Sequence, residues 1–320
     1  MAQAEVSGDV AIELDDVLTD VDLRRCFVEN GPYWNQGRYL SAAGAASQMP
    51  GGVASTVGVP WYRQDWALGG VALVDAGSRV LHDGSFAAAA REVFGGAIVR
   101  PHTVYANVQL PAIGTDLGHI DVPEFRGITR DRFPVALLHL MNRSGLFVRW
   151  QLDICTAVSW LWAGPRGEFL LWVNGPAELP VRYHPPLTGR AVVADNDRAF
   201  HAVGDFASPD GPTSALLTPT SEVHAVDDHF VLRDGANDLG AWPIHDVRCS
   251  VSWKAYVFED DAAARSFDEH SDDLDESTVL DTFAAALRDD GITLEHAGVV
   301  DEAVLRALTA RWPKQMPRMI

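Results

Sequence analysis

The chain has 320 residues, 47% of them hydrophobic, so it can bury a sizeable core and is neither a disordered nor a fibrous protein. Its 25 basic residues against 44 acidic ones give a net charge of −19, which repels the phosphates of nucleic acids and anionic membrane surfaces. The charge balance therefore favours a small-molecule or protein partner over nucleic acid or membrane.

The cysteines and the first residues bear on the compartment. Cys26, Cys155 and Cys249 lie far apart and form no C-x-x-C pair, which argues against a disulfide framework and against a cysteine metal site. The first residues, "MAQAEVSGDVAIELDD", lack the basic and apolar regions of a signal peptide, and no window approaches the roughly 18 apolar residues of a membrane span. We expect a cytoplasmic protein with reduced thiols.

Residues 1–97 predict a helical and loop cover at the N-terminus. In "DDVLTDVDLRRCFVEN", Val17, Val21, Leu23 and Phe27 recur near helical spacing. "SFAAAAREVFGG" combines a serine cap, good helix formers and a glycine stop, while "SAAGAASQMPGGVAST" has the composition of loops.

Residues 98–257 predict a β-rich core. The runs rich in Val, Ile, Trp and Tyr, separated by turn signals, are typical of a sandwich or barrel, and they are "IVRPHTVYANVQLP", "LFVRWQLDICTAVSWLW", "GEFLLWVNG", "GRAVVAD" and "VRCSVSWKAYVF". "RDRFPVALLHLMNRSG" predicts an intervening helix that Gly145 ends. Residues 258–320 predict C-terminal helices packed on this core, because apolar stripes at helical spacing run through "DESTVLDTFAAALRDDG" and "DEAVLRALTARWP". We expect one compact unit.

A candidate metal site begins in "GTDLGHIDVPEFRG", residues 114–127, where His119 and Asp121 are one residue apart. Iron(II) that must also bind oxygen is commonly held by two histidines and one carboxylate on one face. The candidate third ligand is His201 in "NDRAFHAV", 80 residues beyond Asp121 (201 − 121). A double-stranded β-helix brings residues so far apart in sequence onto neighbouring strands.

These residues resemble the iron(II)- and 2-oxoglutarate-dependent oxygenases. The family carries H-x-D or H-x-E near one strand of a distorted jelly roll and a distal histidine near another. "GPAELPVRYHPPLTGRAVVADNDRAFHAV" is similar to the family's segment that leads to the distal histidine. The resemblance covers about residues 100–257 and implies a cupin-like, double-stranded β-helix core with flanking helices. It also implies Fe(II) bound by His119, Asp121 and His201, with 2-oxoglutarate as cosubstrate and O2 as oxidant.

The sequence departs from the family at the basic residue that binds the far carboxylate of 2-oxoglutarate. That residue usually follows the distal histidine by about ten positions, yet residues 202–232 contain neither Arg nor Lys. Arg233 and Arg248 are the candidates, and Arg248 is preferred because "RCSVSWKAYVF" has the family's Arg-x-Ser form ahead of an apolar strand. Lys254 is a weaker candidate, because only arginine makes two parallel bonds to a carboxylate.

The choice of Arg248 implies an insertion at about residues 205–245, which we expect near the mouth of the site, where it could act as a lid. Within "VYANVQLP", Tyr105, Asn107 and Gln109 alternate with apolar residues and share one strand face. Tyr105 and Asn107 are candidates to hydrogen-bond 2-oxoglutarate or substrate.

The family resemblance and the retained Asp121 favour hydroxylation, desaturation or cyclisation of a small-molecule substrate. Halogenating members of the family have a small residue in place of the carboxylate, so halogenation is disfavoured. Two alternatives stay open: a cupin-like metal enzyme that does not use 2-oxoglutarate, and a noncatalytic jelly-roll binding protein.

Overall fold

The computed structural model describes residues 11–35, 61–111, 117–206 and 220–318. Over these ranges the chain forms fourteen strands, which are β1 (Ala11–Leu14), β2 (Tyr33–Asn35), β3 (Trp61–Leu68), β4 (Val71–Ala72), β5 (Ile98–Gln109), β6 (Asp153–Leu161), β7 (Phe169–Trp172), β8 (Val181–Tyr183), β9 (Ala191–Ala194), β10 (Phe200–Val203), β11 (Glu222–Val226), β12 (His229–Asp234), β13 (Asn237–Pro243) and β14 (Arg248–Phe258). The α-helices of the same ranges are α1 (Leu23–Glu29), α2 (Asp75–Leu81), α3 (Gly84–Phe94), α4 (Val135–Ser144), α5 (Asp261–Asp268), α6 (Glu276–Asp289) and α7 (Glu302–Arg311).

Two antiparallel sheets face each other. The major sheet has the strand order β1-β9-β6-β14-β5-β3-β2-β11-β12-β13, with β4 paired to β3, and the minor sheet has the order β10-β7-β8. A short bridge between His119 and His201 adds the segment around His119 to the open side of β10. The minor sheet therefore gains a fourth short strand at this edge.

The path of the chain between the sheets defines the fold. After β5 in the major sheet, the chain passes to the His119 segment of the minor sheet, returns to β6, and then forms β7 and β8 of the minor sheet. It returns to the major sheet as β9, crosses again as β10, and ends the core as β14 between β6 and β5. This alternation is that of a double-stranded β-helix, a form of jelly roll, so the predicted fold class is confirmed.

The two faces of the major sheet have opposite chemistry. Along β14, Cys249, Val251 and Trp253 are buried in the main apolar core, while the residues between them point to the other side. Helices α2 and α3 cover the apolar face, and the indole of Trp253 donates to the carbonyl of Leu81 at 3.0 Å. The period of two along a strand thus separates a helix-covered core from the space between the sheets.

The N-terminal region differs from the predicted helical and loop cover. Besides three helices it contributes two strands of the major sheet. Strand β1 pairs with β9, and β3 pairs with β5, with a β-bulge between Asp65 and Ala67. The segment "WYRQDWAL" contains three aromatic residues, a residue type that favours strands, and it follows a Gly- and Ala-rich stretch of sequence. Helix α3 begins at Gly84 with Asp83 as its cap, earlier than a serine cap predicts, and Gly95 ends it with a positive φ of 67°.

The described part of the insertion does not line the cavity between the sheets. Strands β11, β12 and β13 form a meander that joins the far end of the major sheet through β2. Residues 207–219 lie outside the described residues, and none of residues 220–246 lines the cavity between the sheets. Residues 220–246 pair with the major sheet through β2, and the expectation of a lid at about residues 205–245 stays a prediction.

The later helices build a second core with α4. Leu137, Leu138 and Met141 of α4 pack with Phe283 of α6 and Leu308 of α7. Gly145 ends α4 with a φ of 68°, as the sequence predicts. The segment after α7, residues 313–318, crosses to the minor sheet, where the indole of Trp172 donates to the carbonyl of Arg318 at 3.1 Å. We call residues 313–318 the strap.

Within the described ranges of the chain, no helix has both the length and the apolar character needed to span a bilayer.

Candidate metal centre

The H-x-D segment is held as a short strand against β10. His119 and His201 exchange both backbone hydrogen bonds, at 3.0 and 2.8 Å, and the amide of Asp121 donates to the carbonyl of Asn196 at 2.8 Å. Residues two apart on an extended segment share a face, so the side chains of His119 and Asp121 point the same way. Backbone pairing thus fixes the direction of the first two candidate ligands.

Gly118 allows the segment to approach the strap. Its φ is +79°, and a Cβ at this position would lie 2.6 Å from Cγ of Pro317. A larger residue would therefore be strained by its backbone and would collide with the strap. The strap and the His119 segment are packed directly against each other.

The side chains of His119, Asp121 and His201 converge. One candidate ligand atom from each lies within 4.8 Å of the others, and His201 Nε2 is 3.9 Å from Asp121 Oδ1. Two ligands bound at about 2.1 Å to one ion are at most about 4.2 Å apart, so this pair is spaced to share a metal ion. The three predicted ligands therefore form one cluster on the wall of the cavity.

The ring of His201 has a fixed orientation. Its Nδ1 lies 3.3 Å from the carbonyl of Ala199, and an N–H at Nδ1 donates to this oxygen. The other nitrogen, Nε2, then keeps its lone pair and faces Asp121. Metal-binding histidines commonly have this arrangement, in which a carbonyl selects the tautomer.

Lys254 binds the other oxygen of the candidate carboxylate ligand. Its Nζ donates to Asp121 Oδ2 at 2.8 Å and is 3.8 Å from Oδ1 of the buried Asp197. The hydroxyl of Thr156 lies 3.5 Å from the same Oδ2. Asp121 therefore has one oxygen held by an ammonium and the other directed toward His201.

This ion pair sets the charge of Asp121. Burial alone would raise the pKa of its carboxyl, but Lys254, His201 and His119 hold the pKa well below its ordinary value. Burial would likewise lower the pKa of the Lys254 ammonium, and Asp121, Tyr105 and Asp197 raise it instead. Asp121 is accordingly a carboxylate throughout the neutral range, which a metal ligand requires.

Aromatic rings flank both imidazoles. The ring of Trp61 lies 5.7 Å from that of His119, and the ring of Phe169 lies 6.0 Å from that of His201. Such contacts keep the imidazoles in place and reduce their exposure to bulk water.

The cluster lies on the wall of a cavity of about 1550 Å³ between the two sheets. The polar face of the major sheet forms the opposite wall. The lining of this wall comes from the adjacent strands β3, β5, β14 and β6, and its polar residues include Arg63 of β3, Thr103, Tyr105, Asn107 and Gln109 of β5, Arg248, Ser250, Ser252 and Lys254 of β14, and Thr156 of β6.

The two arginines considered for 2-oxoglutarate lie in different places. Arg248 is buried in the cavity, where it donates to the carbonyl of Gly167 at 3.3 Å and to Gln109 Oε1 at 3.4 Å. Arg233 lies on β12, where it pairs with Asp238 at 2.7 Å, and it does not line the cavity. Of these two, only Arg248 is positioned to bind a ligand near the candidate metal site.

Tyr105 and Asn107 also line the cavity. The guanidinium of Arg63 lies 3.9 Å from the centre of the Tyr105 ring, and Asn107 Nδ2 donates to the hydroxyl of Ser252 at 3.2 Å. Burial, the largest influence, raises the pKa of the Tyr105 hydroxyl. Both side chains are therefore neutral hydrogen-bonding groups at neutral pH.

Sequence reasoning missed the pairing of Lys254 with Asp121 and the presence of the strap in the cavity wall. The alternation along "RCSVSWKAYVF" places Arg248, Ser250, Ser252 and Lys254 on one face, which was a signal for Lys254. No comparable signal existed for the strap, since its position depends on how the helices pack.

No family model and no curated protein sequence matches the chain. Among solved structures, it is similar to a prolyl-4-hydroxylase of Pseudomonas putida, with 13% identity, coverage of 78% of this chain and 93% of that chain, and a TM-score of 0.37. It is also similar to HygX of Streptomyces hygroscopicus, solved with nickel, 2-oxoglutarate and hygromycin B, with 9% identity, coverage of 79% and 86%, and a TM-score of 0.39. A third is SnoK, a non-heme alpha-ketoglutarate-dependent carbocyclase from nogalamycin biosynthesis, with 13% identity, coverage of 78% and 80%, and a TM-score of 0.39.

The fold follows from the strand order of the chain itself, in which the two sheets are built by alternating strands. The protein is a double-stranded β-helix in which His119, Asp121 and His201 meet between the two sheets.

Proposed function

We propose that the protein is a non-haem iron(II)- and 2-oxoglutarate-dependent oxygenase that acts on a small molecule. The observation that carries this proposal is the convergence of two imidazoles and one carboxylate on the wall of a cavity that also contains the buried Arg248. The strand order of the fold and the sequence context of the three residues are consistent with it.

The donor set fits iron(II). Two neutral nitrogen ligands and one oxygen ligand on one face leave the other side of a six-coordinate ion for a cosubstrate and oxygen. Here His119, Asp121 and His201 all line the cavity and would hold the ion at its wall. When bound, iron with 2-oxoglutarate and O2 would supply oxidation of a substrate C–H bond, with 2-oxoglutarate converted to succinate and CO2.

The residues of the chain would position these reactants and exclude water. The buried guanidinium of Arg248 suits the far carboxylate of 2-oxoglutarate, since it lines the cavity and its planar fork can make two parallel hydrogen bonds to a carboxylate. Tyr105 and Asn107 offer neutral hydrogen bonds on the same wall. Trp61 and Phe169 shield the imidazoles of His119 and His201.

The carboxylate at position 121 bears on the type of reaction. Asp121 supplies a charged oxygen at the position that a halogenating enzyme would leave to halide. We therefore infer hydroxylation, desaturation or cyclisation. A small molecule, rather than nucleic acid or a membrane surface, is the inferred substrate, because the net charge of −19 repels both polyanions.

The test is anaerobic addition of Fe(II) and then 2-oxoglutarate, with a visible charge-transfer band as the expected result. His119→Ala and His201→Ala should lose Fe(II) binding, whereas His245→Ala, a change at an exposed histidine, should retain it. Metal binding without the band would favour the cupin-like enzyme that does not use 2-oxoglutarate. Correctly folded protein that binds no metal would favour a noncatalytic binding protein.

A further inference from the structure

The lining of the cavity is basic although the protein is strongly acidic. Seven of the cavity residues are Arg or Lys and three are Asp or Glu, whereas the whole chain has 25 basic and 44 acidic residues. The sequence contains two lysines, Lys254 and Lys314, and both line the cavity. The charge of the cavity wall is therefore opposite to that of the molecule as a whole, which indicates an anionic occupant.

Part of this positive charge is already compensated by the protein. Arg63 pairs with Asp65 at 2.6 Å, Arg198 pairs with Asp195 at 2.7 Å, and Lys254 pairs with Asp121. Arg248 is assigned above to 2-oxoglutarate. The cations that then remain on the wall are Arg130, Arg143 and Lys314, and none of these three forms an ion pair with a carboxylate of the described residues.

Helix α4 directs Arg143 into the cavity. Four residues of α4 line the cavity, and they are Ala136, His139, Asn142 and Arg143. Successive members of this set are three, three and one positions apart, so they lie on one face of the helix. The opposite face of α4 is buried in the second apolar core. Burial of that face therefore fixes the direction of the guanidinium.

The strap places Lys314 beside the same wall. Its far end is fixed by the amide of Arg318, which donates to the carbonyl of Pro176 at 2.7 Å, and by the packing of Pro317 on Gly118. At the other end, Nε of Arg143 donates at 3.2 Å to the carbonyl of Trp312, two residues before Lys314. The strap is thus tied at both ends, with the exposed Lys314 between them at the cavity rim.

Besides burial, Arg143 and Lys314 both lower the pKa of His139. Burial is the largest cause that lowers the pKa of this imidazole, and Arg143 and then Lys314 lower it further. The two positive charges therefore act on the same part of the cavity. His119 of the candidate metal site lines the same cavity as His139, Arg143 and Lys314.

We propose that the substrate of the oxygenase is an anionic small molecule whose carboxylate or phosphate group binds between Arg143 and Lys314. This inference rests on the proposed function, since it names the substrate class of that same site. The planar guanidinium offers two parallel hydrogen bonds to such a group, and the ammonium adds a mobile point charge at the rim. Held there, the rest of the substrate extends toward His119, Asp121 and His201.

The size of the cavity agrees with two occupants. Sites for drug-sized ligands have volumes of roughly 300 to 1000 Å³. At about 1550 Å³, the cavity has room for 2-oxoglutarate at Arg248 and for a second small molecule at the α4 wall.

The chain provides its own reporter for the test. Of its two lysines, Lys314 is exposed, whereas the side chain of Lys254 is only 16% exposed and is paired with Asp121. An amine-acylating reagent such as N-hydroxysuccinimidyl acetate should therefore modify Lys314 faster, and peptide mass spectrometry measures the rate. The rate is compared in inorganic phosphate, in acetate and in chloride at equal ionic strength, with 2-oxoglutarate saturating.

The expected result is that phosphate or acetate slows acylation of Lys314 several-fold relative to chloride, and the stronger of the two identifies the acidic group. Arg143→Gln should abolish this protection, whereas Arg132→Gln, at an arginine that does not line the cavity, should leave it intact. Should Arg143→Gln fold poorly, the exposed change Lys314→Gln serves instead, with about a tenfold loss of phosphate affinity expected by calorimetry.

Equal acylation rates in all three salts would overturn the anion site, as would protection that survives Arg143→Gln.

These outcomes are separable from failure of the proposed function. If the charge-transfer band forms but no anion protects Lys314, only the substrate class is wrong. If anions protect Lys314 but the band is absent, the oxygenase assignment fails and the anion site stands.

Discussion

Lys254 donates to Oδ2 of Asp121 at 2.8 Å, while Oδ1 of the same carboxylate faces His201 Nε2 at 3.9 Å. The ammonium therefore holds the candidate ligand in one orientation and keeps it ionised, although both groups are largely removed from water. Lys254 binds the carboxylate oxygen that does not face His201, so its proposed role is to position Asp121.

Lys254→Gln should weaken metal binding without removing a ligand. Glutamine keeps one donor for Oδ2 but removes the charge that stabilises the carboxylate. Loss of such a supporting contact typically costs about 10- to 100-fold in metal affinity. Anaerobic titration with Co(II), followed by its visible absorption, measures this affinity. Lys254→Arg is the matched control and should retain most of it, while an unchanged affinity in Lys254→Gln would show that the ion pair does not position Asp121.

Arg248→Gln should weaken binding of 2-oxoglutarate and leave iron in place. Hydrogen bonds to a charged group contribute about 1.5 to 3 kcal/mol, so the dissociation constant should rise on the order of 10- to 100-fold. The measurement is titration of the charge-transfer band at saturating Fe(II). Arg233→Gln is the control, because Arg233 pairs with Asp238 outside the cavity and should not affect the titration. If Arg233→Gln weakened binding of 2-oxoglutarate and Arg248→Gln did not, the cosubstrate would be assigned to Arg233.

The candidate ligands could be predicted from the sequence because their signals are local. His119 and Asp121 are one residue apart, and His201 has a distinctive context within a few residues. The alternation of β5 likewise places Tyr105 and Asn107 on one face without knowledge of the partner strands.

Lys254 could not be paired with Asp121 in the same way. The contact depends on β14 lying between β5 and β6 in a register that places Lys254 opposite Thr103 and Thr156. Strand register over such separations is set by the whole sheet, not by nearby residues. The pairing of the described part of the insertion with the major sheet could not be predicted for a similar reason, since the sequence does not show that β2 presents an edge to β11.

Gly118→Ala tests the packing of the strap on the metal-binding segment. Alanine at a φ of +79° costs about 1 to 2 kcal/mol, and its Cβ would also meet Pro317 at 2.6 Å. Gly189→Ala is a matched control, because Gly189 has a φ of +78° but a Cβ added there would meet no atom within 4 Å. Urea unfolding should show a larger loss of stability for Gly118→Ala than for Gly189→Ala, and only Gly118→Ala should weaken Co(II) binding. Equal losses of stability and equal Co(II) binding in the two variants would mean that the strap moves away from residue 118 at no measurable cost.

His139 provides a prediction about pH. Burial, with Arg143 and Lys314, lowers its pKa to about 4, whereas the pKa of an unfolded histidine is about 6.5. Between these values the unfolded chain binds a proton that the folded protein does not, so stability falls as pH falls through this window. From pH 7 to pH 5 the loss due to this residue should be on the order of 2 kcal/mol. Well above the unfolded-state pKa, the effect of His139 on the free energy of unfolding does not vary with pH. Below the folded-state pKa, the loss of stability due to this residue is complete.

His139→Gln should remove this part of the pH dependence. The free energy of unfolding in urea is measured at pH 7 and pH 5 for the wild type and the variant, and the difference between the two drops isolates the residue, because the other titrating groups are common to both proteins. His245→Gln, at a histidine whose side chain is 75% exposed, controls for the loss of an imidazole and should keep the wild-type drop. Equal drops in wild type and His139→Gln would contradict a neutral His139 in the folded protein at pH 5. Phosphate gives a second check: an anion bound between Arg143 and Lys314 offsets the charges that lower the pKa of His139, so phosphate should reduce the wild-type drop and leave that of His139→Gln unchanged.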